Sequence, residues 1–452
     1  MEMKHDMTNG SIWKGILIFS IPLIISNVLQ QVFNMADIMV VGSFSGDISL
    51  GAVGCTSMLI TLFTGFAIGM GNGINAIVAR YIGSKDSKLV HDTVHTSFVI
   101  SLILGIILFI IAFFICKPLL ILMKTQDIFL DKAVQYLKCY FIGLPALAIY
   151  NFGNGVYSAA GNTKKPLIFL SIAGALNICM NLLFVIVFKL DVVGVGMSSA
   201  ISQYVSAILI VLFLFLEKKD YGLKLKDIRL YKGRVLPILS LGIPSGFQMA
   251  IFAIANMFIQ SGVNELTEID IEGNSACATF DSLVYDVMAA FYAGCASYIS
   301  QNYGAGNKKR MLKSYYVALI YSFSIGLLFG LCLILFGRPI LHLFTSSDEV
   351  IEAAMRRMLI MGFTYCVSAF MDCTIAANRG IGHTFLPTIF LILGSCVFRV
   401  AWVYTIFAFF HTIQSLYLLY VFSWALTGIA EIIYFVVEFR KIKFENKDLA
   451  LN

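Results

Sequence analysis

The chain has 452 residues, of which 59% are hydrophobic and 13% charged, with a mean hydropathy of +0.86 and a net charge of +6. A soluble domain carries about 25% charged residues, so this composition excludes a soluble globular protein and places the chain in lipid. The surplus Lys and Arg cluster at the ends of apolar runs, which marks membrane topology rather than nucleic-acid binding.

Apolar stretches of about 20 residues or more can cross the hydrocarbon core as helices. Twelve are expected, near 14–41, 50–81, 92–116, 133–158, 166–188, 193–216, 236–261, 274–303, 314–337, 351–378, 384–409 and 415–437. No ten-residue alternation of a barrel appears, and lipid demands backbones that satisfy themselves. The first fifteen residues are polar and no small-residue cleavage pattern follows the first apolar run, so no cleavable signal is expected. The ten cysteines are scattered without ligand spacing and read as small packing residues.

The spans occur in two copies. Gly83 answers Gly304, Pro118 answers Pro339, and Gly161-Asn-Thr-Lys-Lys-Pro166 answers Gly382-His-Thr-Phe-Leu-Pro387, each 221 positions on. Pro22 in Ser-Ile-Pro answers Pro244 in Gly-Ile-Pro. Six spans per copy is an even number, so both copies enter from one side and form parallel repeats. The expected organisation is a six-helix bundle at 1–216, a linker at 217–235, a second bundle at 236–440 and a tail at 441–452. Two repeated membrane halves place a cavity between them, the usual build of a secondary transporter.

Taking the N-terminus as cytoplasmic puts 21 Lys and Arg inside and five outside (Lys117, Lys124, Lys132, Lys189 and Arg338). Both termini are therefore expected in the cytoplasm. The linker carries seven of the inside charges and reads as a solvated segment near anionic lipid.

Five stretches carry a family resemblance: Ile21-Pro-Leu-Ile with Asp37-Ile-Met-Val-Val-Gly42; Ala79-Arg-Tyr-Ile-Gly83 with Ser300-Gln-Asn-Tyr-Gly-Ala-Gly-Asn307; Gly143-Leu-Pro145 with Asn154 and Gly161-Asn-Thr-Lys-Lys-Pro166; Asn177 with Asn181; and Gly242-Ile-Pro-Ser-Gly246. In order and spacing, over nearly the whole chain, they resemble the MATE (multidrug and toxic compound extrusion) transporters, in their bacterial drug-exporting branch. The resemblance implies a V-shaped pair of six-helix bundles in the bacterial cytoplasmic membrane. It also implies export of amphipathic, often cationic molecules in exchange for protons or sodium ions, and an ion-coupling role for the acid at Asp37. The family carries an Asn and an Asp one turn apart in span 5, whereas this chain has Asn177 and Asn181. The lost carboxylate weakens the case for sodium, a hard cation that favours anionic oxygen. Where one branch of the family has a glutamate in span 7, this chain has Gln248 nearby and no acid in 236–261.

An ionisable group within a span is costly unless paired or hydrated, and is a functional candidate by default. Asp37 lies in the run Val32-Phe-Asn-Met-Ala-Asp-Ile-Met-Val-Val. Asn177 and Asn181 share one helix face and, with Asn154 and Ser199 as further oxygen donors, form the expected ion-coupling set. Asp281, Tyr285, Asp286, Asp372, Arg399 and Gln248 form the expected substrate-binding or second-bundle set. Asp372 is expected to pair with Arg399 or Arg379, and Arg356 and Arg357 to snorkel outward.

The leading expectation is an antiporter working by alternating access, with a small-molecule substrate and a proton or sodium ion as its only accessory. The alternative is a flippase of a lipid-linked glycan or other lipid-like substrate, which would need several basic residues in its cavity. No cofactor, metal, nucleic-acid partner or enzymatic constellation is expected, and the functional unit is expected to be a monomer. The six histidines lack metal spacing, and Gly304-Ala-Gly306 has no strand before it.

Overall fold

The computed structural model describes residues 7–342 and 345–444. Lys4 and Lys447 of the basic count, and most of the tail expected at 441–452, lie outside them. Among the described residues the chain is all-helical, as apolar runs in lipid require. The helices are α1 (Ile12–Phe44), α2 (Asp47–Gly83), α3 (Ser87–Leu122), α4 (Asp127–Phe141), α5 (Leu144–Ala159), α6 (Lys164–Leu182), α7 (Asp191–Phe215), α8 (Lys232–Val263), α9 (Glu268–Gly304), α10 (Lys308–Leu341), α11 (Asp348–Gly380), α12 (Phe385–Leu391), α13 (Phe398–Trp402), α14 (Ala408–Phe410) and α15 (Ile413–Lys441).

Among the described residues eleven segments are individually long and apolar enough to cross a bilayer, and α4 with α5, bent by 45°, passes the same test as a pair, which gives twelve if the pair counts as one span. Span 4, expected as one run, is thus broken, with Pro145 at the start of α5, where a missing N–H is tolerated. Span 6 of the expectation is α7. Span 11 is α12–α14, joined through π-helical turns at Ile392–Val397 and Val403–Phe407, and α6 ends in another at Leu183–Val187. The outward faces are apolar: on α3, Ile103, Ile106, Ile107, Ile110 and Phe114 are all exposed, as lipid contact demands.

The duplication is visible in the turns. α5 ends with Gly161 at φ +79°, where Gly161 N–H donates to Ser158 O (2.9 Å) and Asn162 N–H to Tyr157 O (2.9 Å). α11 ends with Gly382 at φ +95°, where Gly382 N–H donates to Arg379 O (3.0 Å) and His383 N–H to Asn378 O (2.9 Å). Both are left-handed caps that favour glycine, placed 221 residues apart.

Contacts divide the chain into two compact units that cut across the repeats. One, here the N-unit, comprises Ile21–Val78 and Ser87–Met257. The other, the C-unit, comprises residues 7–20, Ala79–Asp86 and the chain from Phe258 onward. In the N-unit, α3 packs on α4 and α5, and α7 on α4, α5 and α6. In the C-unit, α11 is the hub, packed on α9, α10 and α15.

The linker is not simply solvated. Leu223 and Tyr221 are buried, and its backbone is tied to α3: Lys224 N–H donates to His95 Nε2 (2.9 Å) and Tyr231 N–H to Thr96 Oγ1 (3.1 Å). The histidines also depart from expectation. His91, His95 and Asp227 bring one ligand-type atom each within 4.8 Å. His91 and His95 are four apart on α3, and Asp227 arrives from far along the chain. His95 is already committed, because its Nδ1 also contacts His91 O at 2.7 Å.

Candidate functional site

The N-unit builds a polar site around Asp37. Gly174 on α6 lies against the ring of Phe33, one turn before Asp37 on α1, and a Cβ at 174 would collide with that ring. The bare backbone lets α1 approach α6 closely enough for Asp37 to meet the Asn181 amide two turns on. Asn181 Nδ2 donates to Asp37 Oδ1 and, at 3.3 Å, to Asn177 Oδ1. Ser199 Oγ on α7 donates to Asp37 Oδ2 at 3.3 Å. Asn177, Asn181 and Ser199 are buried and Asp37 is half-buried. Below them lies a Val-rich cluster of Val40, Val41, Val53, Val185, Val192 and Val195 with Tyr136.

Four of the five expected coupling residues therefore meet. Asn154 does not join them; its Oδ1 accepts from Ser158 Oγ in its own helix at 3.4 Å. Gln248 is buried on α8 and is not among the partners of Asp37. Among the described residues, no Lys, Arg or His nitrogen lies within 4.0 Å of Asp37. Its hydrogen-bond partners are neutral, so a proton or a small cation is what would discharge it. The amide oxygen of Asn181 is buried and has no protein partner, an acceptor left over in the same site.

The C-unit holds a second polar group with a different logic. Tyr285 Oη on α9 donates to Asp372 Oδ2 on α11 at 2.7 Å, so this tyrosine is committed to a carboxylate. Asp372 does not form the expected ion pair with Arg399 or Arg379; no such contact within 4.0 Å is made by Asp372. Arg399, 2% exposed, turns to α15 instead. Its Nε donates to Ser423 Oγ at 3.1 Å and its guanidinium sits 4.6 Å above the Tyr420 ring and 5.9 Å from Trp424. Aromatic faces and a hydroxyl replace the expected anion. Asp286 is half-buried on α9 and takes no part in the hydrogen bond at Asp372.

Arg357 is the other departure. It is buried rather than snorkelling, forms an ion pair with Asp281, and lies 4.6 Å above Tyr417. Tyr365 Oη donates to the other oxygen of Asp281. Asp281, expected as a substrate or coupling residue, is thus held on both oxygens by its own bundle. The sequence expectations omit Glu431, which is fully buried on α15 against Asn378. It is the only acid in 415–437, which was the available signal.

The MatE family matches residues 22–183 and 244–405, one match in each repeat. The chain is 30% identical over 363 residues to the probable multidrug resistance protein YpnP of Bacillus subtilis, covering 80% of this chain and 81% of that protein. It is 21% identical over 369 residues to the FAD transporter of Shewanella oneidensis, covering 81% of each. Among solved structures, a MOP-superfamily transporter from Pyrococcus furiosus superposes with a TM-score of 0.89 at 23% identity, covering 98% of this chain and 100% of that one. An outward-facing multidrug resistance MATE transporter gives 0.90 at 22% identity, covering 98% and 100%. With both repeats matched, a 30% identical relative covered over four fifths of its length and an all-helical fold shared with these structures, the chain belongs to the MATE family of multidrug efflux transporters.

Proposed function

We propose that this protein is a proton-driven antiporter that exports amphipathic, cationic small molecules, with Asp37 as the residue that exchanges the proton. The observation that carries this reading is a carboxyl group bound only by neutral donors in a membrane-spanning helix. Protonation removes its charge and its demand for those donors. Any difference in proton affinity between two conformations then lets the ion gradient bias their equilibrium. A single carboxylate with two amides and a hydroxyl is a weak cage for sodium, which favours the proton. The 21-to-5 split of basic residues supports cytoplasmic termini.

The charge of the substrate follows from the same reasoning. Buried Arg357, Arg379 and Arg399 would suit an anionic or lipid-linked substrate, and one relative is named an FAD transporter. Yet Arg357 is neutralised by Asp281 and Arg399 is turned onto aromatic rings, which favours cations.

The test is ethidium efflux from energised cells or inverted vesicles, wild type against Asp37→Asn, with and without sodium and a protonophore. Efflux lost with the protonophore and in Asp37→Asn, but indifferent to sodium, is the expected result. Undiminished efflux in Asp37→Asn refutes the site. Transport of anionic but not cationic probes moves the reading to the lipid-like or anionic substrate.

A further inference from the structure

Glu431 is the most completely buried acid among the described residues, at 0% exposure on α15. Ten residues, about 15 Å of helix, separate it from the end of α15 at Lys441. Its Oε2 accepts from Asn378 Nδ2 at 2.8 Å. The same amide nitrogen reaches the backbone oxygen of Glu431 at 3.4 Å. Among the described residues, no Lys, Arg or His nitrogen lies within 4.0 Å of this carboxyl group.

Two atoms of this pair are left without partners: Oε1 of Glu431 and Oδ1 of Asn378, both buried. Each is an acceptor, and each belongs to one of two side chains already joined by an N–H···O bond. A single proton on Oε1 turns it into a donor and supplies the partner that Asn378 Oδ1 lacks, as in an acid–amide pair with two antiparallel hydrogen bonds. An ionised carboxylate here would instead be a buried charge with no countercharge among the described residues, which is strongly unfavourable.

The repeat supplies an internal control. At the offset that aligns Gly161 with Gly382, Glu431 falls on Ile210 and Asn378 on Tyr157. Ile210 is also fully buried. Packing at this place in the bundle is therefore met by an apolar residue in one copy, and the acid in the other is not a requirement of the fold.

The charged and titratable groups around it are Asp372 on α11, which acts electrostatically on Glu431, and Tyr434 one turn on along α15. Arg379 on α11 and Arg399 on α13 act on Asp372 in turn. Beyond Tyr434, His383 Nδ1 contacts Tyr434 Oη at 3.0 Å and His383 Nε2 lies 4.0 Å from Glu438 Oε2. Titratable groups thus lie along α15 between its end and Glu431. Asn378 and Asp372 share α11, so a proton gained or lost at Glu431 changes the field at Asp372.

We propose that Glu431, paired with Asn378, is a second proton-binding site of this transporter, separate from Asp37 and acting on Asp372. The coupling part of this proposal rests on the proton-driven reading above; the proton-binding part does not.

The experiment is infrared spectroscopy of the purified full chain in lipid nanodiscs, in H2O and D2O, beside efflux assays. Wild type at neutral pH is expected to show a carboxylic-acid C=O band that shifts in D2O and is missing in Glu431→Gln. Asn378→Ala is expected to keep the band but move it, which serves if Glu431→Gln does not reach the membrane. Glu431→Gln is expected to bind ethidium normally and to lose about tenfold or more of gradient-driven efflux, within the usual range of site-to-site coupling. An unchanged band in Glu431→Gln overturns the proton site. A lost band with wild-type efflux overturns its coupling role. Wild-type efflux that ignores a protonophore refutes the proton-driven reading and the coupling role together, while the band still decides the proton site.

Discussion

Removing the charge of Asp281 should destabilise the C-unit far more than removing the charge of its partner. Arg357 is buried, with Nε and Nη1 lacking hydrogen-bond partners; among the described residues Asp281 is the anion paired with it and Tyr417 the aromatic face beneath it. In Asp281→Asn the guanidinium keeps a neutral amide acceptor and the cation–π contact, the latter worth about 0.5–2 kcal/mol. Stranding a buried charge costs about 3–5 kcal/mol. The stranded guanidinium is only 6% exposed, so solvent recovers little of this; the contacts it retains bring the expected net loss to about 2–3 kcal/mol. In Arg357→Met, by contrast, Asp281 keeps the Tyr365 hydrogen bond and its partial exposure, and the loss should be about 1 kcal/mol. The double variant should resemble Arg357→Met, because no charge is stranded. Thermal unfolding of the four proteins in nanodiscs reads the order. A double variant as unstable as the two losses added together, or an Asp281→Asn protein as stable as wild type, would refute the reasoning. Ethidium binding that survives in the double variant would remove Asp281 from the substrate site.

Three further outcomes are expected. Asp37→Asn should abolish protonophore-sensitive ethidium efflux without loss of folded protein in the membrane; retained efflux counts against the site. Gly174→Val should push Phe33 off α6 and separate Asp37 from Asn181, cutting efflux although no polar residue is touched. The packing cost is about 1–3 kcal/mol, and wild-type efflux would mean that the close approach of α1 is dispensable. His95→Leu removes the acceptor for Lys224 N–H, a bond worth about 1 kcal/mol. Trypsin cleavage at Lys224 and Lys226 should then be about fivefold faster, and an unchanged rate would show that the linker is held by other contacts.

The spans were legible because bilayer thickness fixes the length of an apolar run, and the duplication because turns keep their Gly and Pro. The Asp37 site was largely legible for a related reason. Asn177 and Asn181 share a face by helical period, and an acid between apolar neighbours marks itself. Sequence could not choose among partners brought from distant helices. Arg399 had acids, aromatics and hydroxyls within reach, and the choice of Ser423 and Tyr420 depends on the rotation of α15. The His91–Asp227 approach depends on a linker fold that no periodicity announces. Glu431 meets the same criterion as Asp37 and was readable; only its partner Asn378 was not.

The compact units exchange their opening segments. The start of α1 clusters with the second repeat, and α8 as far as Met257 clusters with the first. Neither copy of the duplication is therefore a self-sufficient folding module. A lone copy of the repeat would lack a segment of the unit it belongs to. The same reasoning extends to a gene cut in the linker. The two fragments would each lack a piece of their own unit, and should accumulate in the membrane only when synthesised together.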